Sequence, residues 1–369
     1  MHHFIYATKD SWVSSGSNKA TSGISEKDQN YGQDPILEIK KIFYNSSYDY
    51  QTRALISFNG TGFTDISKSI SNGSITSPKF YLRLYETGGN QDLTLDYKLA
   101  AFPISQSWDE GVGKFGDIPK TTNGVSWENR DNIPGLSETV WGVSGGKYIS
   151  GSGNQASQSF SNESPDVNMD VTDVVNNWLD NTNNNYGFLL RFSGSQETDS
   201  TTFGQLKFFS KQTHTIYSPK LEVRWDDHKP CTGSNTGSLN ELTMSGLSDN
   251  YLYVNGLRDS YKENEKVKFR IGARKRYIQK TFSTSVQTVT GSYIPESSGS
   301  YSILDIATGE TIIPFSTYTS LSCDSNSNYF IQWLTGFSPD RVYKILLKLK
   351  LNDGQEYIYD DNFEFIVRR

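Results

Sequence analysis

Between residues 170 and 179, Val171, Val174, Val175, Trp178 and Leu179 recur at i, i+3, i+4, i+7 and i+8, which predicts one short amphipathic helix. Asp170 stands where its carboxylate can accept from first-turn amides, and Asp173 adds negative charge at the positive helix end. Elsewhere the apolar pattern is that of strands. Segments 54–58, 80–85, 93–99, 186–191, 206–209 and 221–225 are strand-like, with period-2 alternation clearest at 80–85, 93–99 and 221–225. A second series follows at 251–254, 267–271, 301–306, 329–333, 342–351 and 357–367. Ala307-Thr308-Gly309-Glu310 and Asn352-Asp353-Gly354-Gln355 fall between strand pairs, the latter with the Asp-Gly signal of a tight hairpin. The pattern predicts an all-β chain in which a lone short helix lies across the sheets.

The alternation breaks in two places. Lys229 to Ser238 has no apolar periodicity and reads as a linker, so the expected division is a first domain over 1–228, a linker over 229–239 and a second domain over 240–369. Residues 105–160 turn loop-rich, with Trp108, Trp127 and Trp141 set among Gly, Asn, Ser and Pro. Long loops in a compact domain are either functional or packed by their own aromatics. Pinning of the loops onto a sandwich is the favoured role for these tryptophans, and a platform for a sugar or protein is the alternative.

Composition narrows the function classes. The 22 Tyr and 20 Phe suit half-exposed sheet faces and rule out a disordered chain. A net charge of −6 argues against a nucleic acid or an anionic membrane as partner. No stretch approaches the length of a membrane span, and the first residues show no secretion-signal core, so synthesis in a cytoplasm is expected and, for action outside, exit by a route other than a cleaved signal, of which release inside an assembled particle is one. Cys231 and Cys323 cannot make a disulfide framework; one bridge from linker to domain is the minor reading, opposed by the strict geometry such a bond needs.

No catalytic constellation stands out. The four histidines lack metal-ligand spacing, so no zinc site or cofactor is expected. Asp109-Glu110, Asp226-Asp227 and Asp360-Asp361 are adjacent acids, whereas glycoside hydrolysis needs two carboxylates converging from separate elements. A loop-held Ca²⁺ is a weak alternative for them. The concentrated positive run, with Arg274, Lys275 and Arg276, is by default a solvated strand end and alternatively a contact for an acidic partner surface.

Phe337-Ser338-Pro339-Asp340-Arg341-Val342-Tyr343 resembles the tyrosine corner of immunoglobulin and fibronectin type III sandwiches. Residues 1–228 resemble the DNRLRE-type β-sandwich, a jelly-roll-like module. The resemblance is carried by Asp10-Ser11-Trp12-Val13, Asn30-Tyr31-Gly32, Arg53-Ala54-Leu55-Ile56-Ser57-Phe58, Val125-Ser126-Trp127, Asp170-Val171-Thr172 and Tyr186-Gly187-Phe188-Leu189-Leu190-Arg191. It implies surface binding and display. The two-part architecture is similar to structural proteins of marine tailed-phage virions. That similarity implies a non-enzymatic neck, tail, baseplate or capsid-associated protein, present in several copies around a symmetry axis and contacting other virion proteins. The alternative is a carbohydrate-binding adhesin module for host glycans. The candidate contact residues are Trp108, Trp127, Trp141, Arg274, Lys275 and Arg276.

Overall fold

The computed structural model describes residues 1–18, 24–44, 47–88, 96–161, 166–244, 250–277, 282, 284–286 and 291–369. The part of the expected 93–99 strand before Asp96 lies outside these residues. The chain is mostly strand, as its period-2 segments require, and forms two compact units.

The larger unit is Ile5–Val223. Its main sheet runs in the order Ala156–Ser161, Asp96–Pro103, Phe188–Phe192, Ser47–Ser57, Ile36–Tyr44, Gly204–Phe209, with Lys9–Ser14 also paired to Ser47–Ser57. The sheet holding Lys220–Arg224, Lys79–Leu84 and Val167–Asp170 supplies further apolar faces. Within Lys79–Leu84, Phe80, Leu82 and Leu84 are buried while Lys79, Tyr81 and Arg83 reach outward, the alternation of a half-buried strand.

The predicted helix is present as Thr172–Leu179, here α2. Thr172 donates its amide to Asp170 Oδ1 at 3.0 Å, so the aspartate satisfies a first-turn donor. Val174, Val175 and Trp178 are buried, and the Trp178 ring lies 4.6 Å from that of Phe188. The expectation of a lone helix is wrong. Thr61–Ser71 forms a second one, α1, which buries Ile66 and sets Phe63 edge-on to Trp178 at 6.2 Å. Its Ser- and Thr-rich sequence is weakly helical by itself, and tertiary packing overrides that weakness.

The smaller unit is Arg224–Arg369 together with Met1–Phe4. One sheet is built on Lys266–Lys275 and Ser327–Trp333, the other on Gly299–Asp305, Arg341–Lys350 and Glu356–Arg368. Ring contacts join their faces: Tyr301 stacks on Phe330 at 3.8 Å, and Phe365 lies tilted against Phe269 at 5.3 Å. Tyr343 donates its hydroxyl to the Ser338 carbonyl at 3.0 Å.

The compact units divide at Val223/Arg224, a few residues before the expected boundary after His228, and residues 1–4 fall in the smaller unit, where Gln332 Nε2 donates to the His2 carbonyl at 2.8 Å. No local pattern announces a pairing across so long a separation. The segment read as a linker is also part of that unit. Cys231 is bonded to Cys323 across a Cα separation of 4.8 Å, and the Cys231 amide donates to Glu296. Low hydrophobicity there reflects satisfaction by a disulfide and hydrogen bonds in place of apolar burial.

Candidate interaction surface

In the larger unit, the loops of 105–150 are held by buried side chains. Trp108, Trp127 and Trp141 are 4, 8 and 5% exposed, and pack with Val13, Leu55, Ile104, Val125 and Leu189. Trp108 Nε1 donates to the Tyr186 carbonyl and Trp141 Nε1 to the Ser126 carbonyl, both at 2.9 Å. These rings therefore pin the loops to the sheets. As a sugar-contacting platform they are ruled out by burial, since a stacking ring must offer a face to solvent.

Asn30 knots the same loops together. Its amide nitrogen donates to the carbonyls of Glu110 (2.8 Å) and Val125 (2.7 Å), and its amide oxygen accepts from the Gly113 amide at 2.7 Å. Gly111 sits alongside at φ +79°, where a Cβ would stand 2.5 Å from the Asn30 amide, so both its conformation and its lack of side chain are required. Trp12 stacks on Tyr31 at 3.6 Å.

Beneath the loops lies a charged cluster. Glu197, almost fully buried, accepts from Arg53 Nε at 2.7 Å and Nη2 at 3.1 Å, and also pairs with Arg191. Arg53 donates to the Gly145 carbonyl and lies 4.9 Å over the Trp127 ring. Burial lowers the Arg53 guanidinium to about 10, which leaves it a cation at neutral pH.

The adjacent acids at Asp109-Glu110 contribute a structural joint. Glu110 pairs with Lys211 Nζ at 2.8 Å, and its Oε1 accepts from the Asp10 amide. Asp10 is fully covered and its carboxyl is raised to about 7 by desolvation, against the pull of its hydrogen bond from the Lys211 amide. A carboxyl with that pKa has the protonation behaviour of a general acid, but the covering protein leaves a substrate no approach to it. Among the described residues no cluster of three or more His, Cys, Asp or Glu could hold a metal, and no helix is long and apolar enough to cross a membrane.

The same 105–150 stretch also carries apolar side chains that reach solvent. Ile118 is 90% exposed and Leu136 80%, and Val112, Phe115, Val140 and Val143 are also exposed. Leu136 caps the hairpin of Asn129–Ile133 with Ser137–Val140, and Asn132 Nδ2 ties this hairpin to the neighbouring loop through the Thr122 carbonyl at 2.7 Å. Composition alone did not reveal these side chains, because isolated apolar residues among Gly and Asn resemble loop anchors. In the smaller unit, Arg274 lies 4.6 Å over Tyr251 and is half-buried, whereas Lys275 and Arg276 are exposed at the strand end.

No family model matches the chain, and no curated protein matches it. Among solved structures, the adhesin domain of Epf from Streptococcus pyogenes aligns at 8% identity over 87% of this chain and 73% of that one, with a TM-score of 0.17. A β-glucuronidase from Parabacteroides merdae aligns at 11% identity over 79% of this chain and 28% of that one, also at 0.17. Scores that low carry no argument about fold or function.

Proposed function

We propose that the protein is a non-catalytic structural component of a tailed-phage virion, docking on other virion proteins. In this reading the larger unit is a jelly-roll-like sandwich and the smaller an Ig-like one; the Tyr343–Ser338 bond supports the latter as a tyrosine corner. The observation that carries the proposal is the loop layer of the larger unit. Side chains such as Ile118 and Leu136 are held outward on loops fixed from below by buried tryptophans, so the apolar groups are presented rigidly to solvent. Exposed apolar side chains concentrated on an ordered surface mark protein contacts, and rigidity lowers the entropic cost of docking.

Mass spectrometry of purified particles should find the chain at fixed stoichiometry. Ile118→Ser with Leu136→Ser should reduce its incorporation while leaving the isolated protein's melting temperature unchanged. Absence from particles, or full incorporation of the double variant, would overturn the proposal.

A further inference from the structure

The smaller unit holds a cleft of about 390 Å³ lined by Asn250, Arg276, Tyr357, Ile358, Tyr359, Asp360 and Asp361. Asn250 opens the strand Asn250–Asn255 and is 1% exposed, yet neither its amide oxygen nor its amide nitrogen has a hydrogen-bond partner among the described residues. A buried amide left without partners is costly, so an orphan lining a cleft points to something that enters and completes it. Across the cleft, Tyr357 is 45% exposed and stands edge-on to the buried Tyr359, with ring centroids 4.7 Å apart.

The carboxylates arrive there through a break in the strand Glu356–Arg368. Leu347 pairs with Tyr359 but Ile345 pairs with Phe363, so Asp360, Asp361 and Asn362 bulge out of the ladder, and Asn362 adopts φ +56°. Bulges of this kind re-aim side chains. Asp360 pairs with Lys344 at 3.0 Å, whereas Asp361 and Arg276 have no ion-pair partner among the described residues.

We infer that this cleft binds a neutral polyhydroxylated ligand, a sugar of one or two hexose rings, with Asn250, Arg276 and Asp361 on its hydroxyls and Tyr357 against its ring. The amide offers a donor and an acceptor side by side, matching vicinal hydroxyls that each donate and accept. A cationic ligand would meet Arg276 and an anionic one would meet Asp360 and Asp361, so the mixed charge selects for neutrality. An added peptide strand fits less well. The bulge interrupts the regular edge such a strand needs, and the orphan groups belong to side chains. The cleft's volume lies at the small-ligand end of the usual range.

The inference is independent of the proposed docking loops, whose Ile118→Ser, Leu136→Ser variant should retain sugar binding. Saturation-transfer NMR on the full chain, using glucose, galactose, mannose, N-acetylglucosamine and their disaccharides, should show transfer to at least one. Asn250→Leu should abolish the signal without lowering the melting temperature, because it replaces an orphan amide by an apolar group. Tyr357→Ala, at an exposed position that folding does not require, should weaken binding by about tenfold or more. No transfer from any of these sugars would overturn the inference, as would transfer unaffected by either substitution. Binding of an extended peptide at the cleft in place of sugar would overturn it too.

Discussion

Replacing Glu197 by Gln tests whether the loop layer rests on the charge cluster beneath it. The carboxylate is the shared partner of Arg53 and Arg191, and the side chains of Arg53 and Glu197 are 9 and 4% exposed. Glutamine keeps the shape and one acceptor but removes the charge, leaving two cations close together under the loops. Breaking a buried pair by removing one partner costs roughly 3–5 kcal/mol. The lower end is the better expectation, because Arg191 keeps 12% of its side chain in contact with solvent. For a unit of this size each kcal/mol lowers the melting temperature by about 2–4 °C, so a fall of roughly 6–12 °C is expected. Differential scanning calorimetry of the whole chain measures it, with intrinsic tryptophan fluorescence followed in the same melt. Combining Glu197→Leu with Arg53→Met and Arg191→Met should recover much of the loss, since an apolar replacement of a whole buried ionic group is often neutral. A shift of less than about 2 °C for Glu197→Gln would refute the claim that the cluster supports the loops.

Trp178→Ala removes the ring between Phe63 and Phe188 and should cost about 3 kcal/mol or more; a melting temperature within a degree of wild type would contradict the packing of α1 on α2. Asp10 sets a pH dependence. With its folded pKa raised from 3.8 to about 7, the folded state holds a proton between those limits that the unfolded chain has released, so stability falls as pH rises through that window. Asp10→Asn should remove this slope, and parallel stability curves for the two proteins would count against it. Proteolysis within 232–238 should give fragments that stay together on a non-reducing gel and separate after reduction, because Cys231 and Cys323 lie on opposite sides of the cut. The bridge closes a loop with a sequence separation of 92, so its removal by Cys231→Ser with Cys323→Ser should cost up to about 4–5 kcal/mol on the chain-entropy argument; an unchanged melting temperature would refute that.

What could be read from the sequence was whatever is encoded locally. The helix after Asp170 announced itself by spacing, the strands by alternation, and the turn at Asp353-Gly354 by its need for positive φ, found at Gly354 at +87°. The burial of Trp108, Trp127 and Trp141 also followed from large rings set in otherwise polar loops. Features depending on distant partners were hidden. Helix α1 carries few strong helix formers and is held by Ile66 and Phe63 against the rest of its unit. The orphan Asn250 looks like any polar residue at a strand start, and only the acids at Asp360-Asp361 ahead of Asn362 hinted at an irregular strand.

The assignment of Met1–Phe4 to the same unit as Arg224–Arg369 has a consequence for the order in which the chain can fold. During synthesis these residues emerge before the whole of Ile5–Val223, yet their partners, Gln332 for the His2 carbonyl and Phe337 for the Phe4 ring, emerge only after it. The inserted unit can close on its own while the ribosome is still working, as domains generally fold as units. Residues 1–4 must wait for those later partners, so a segment made before the inserted unit finds its place only after that unit has closed.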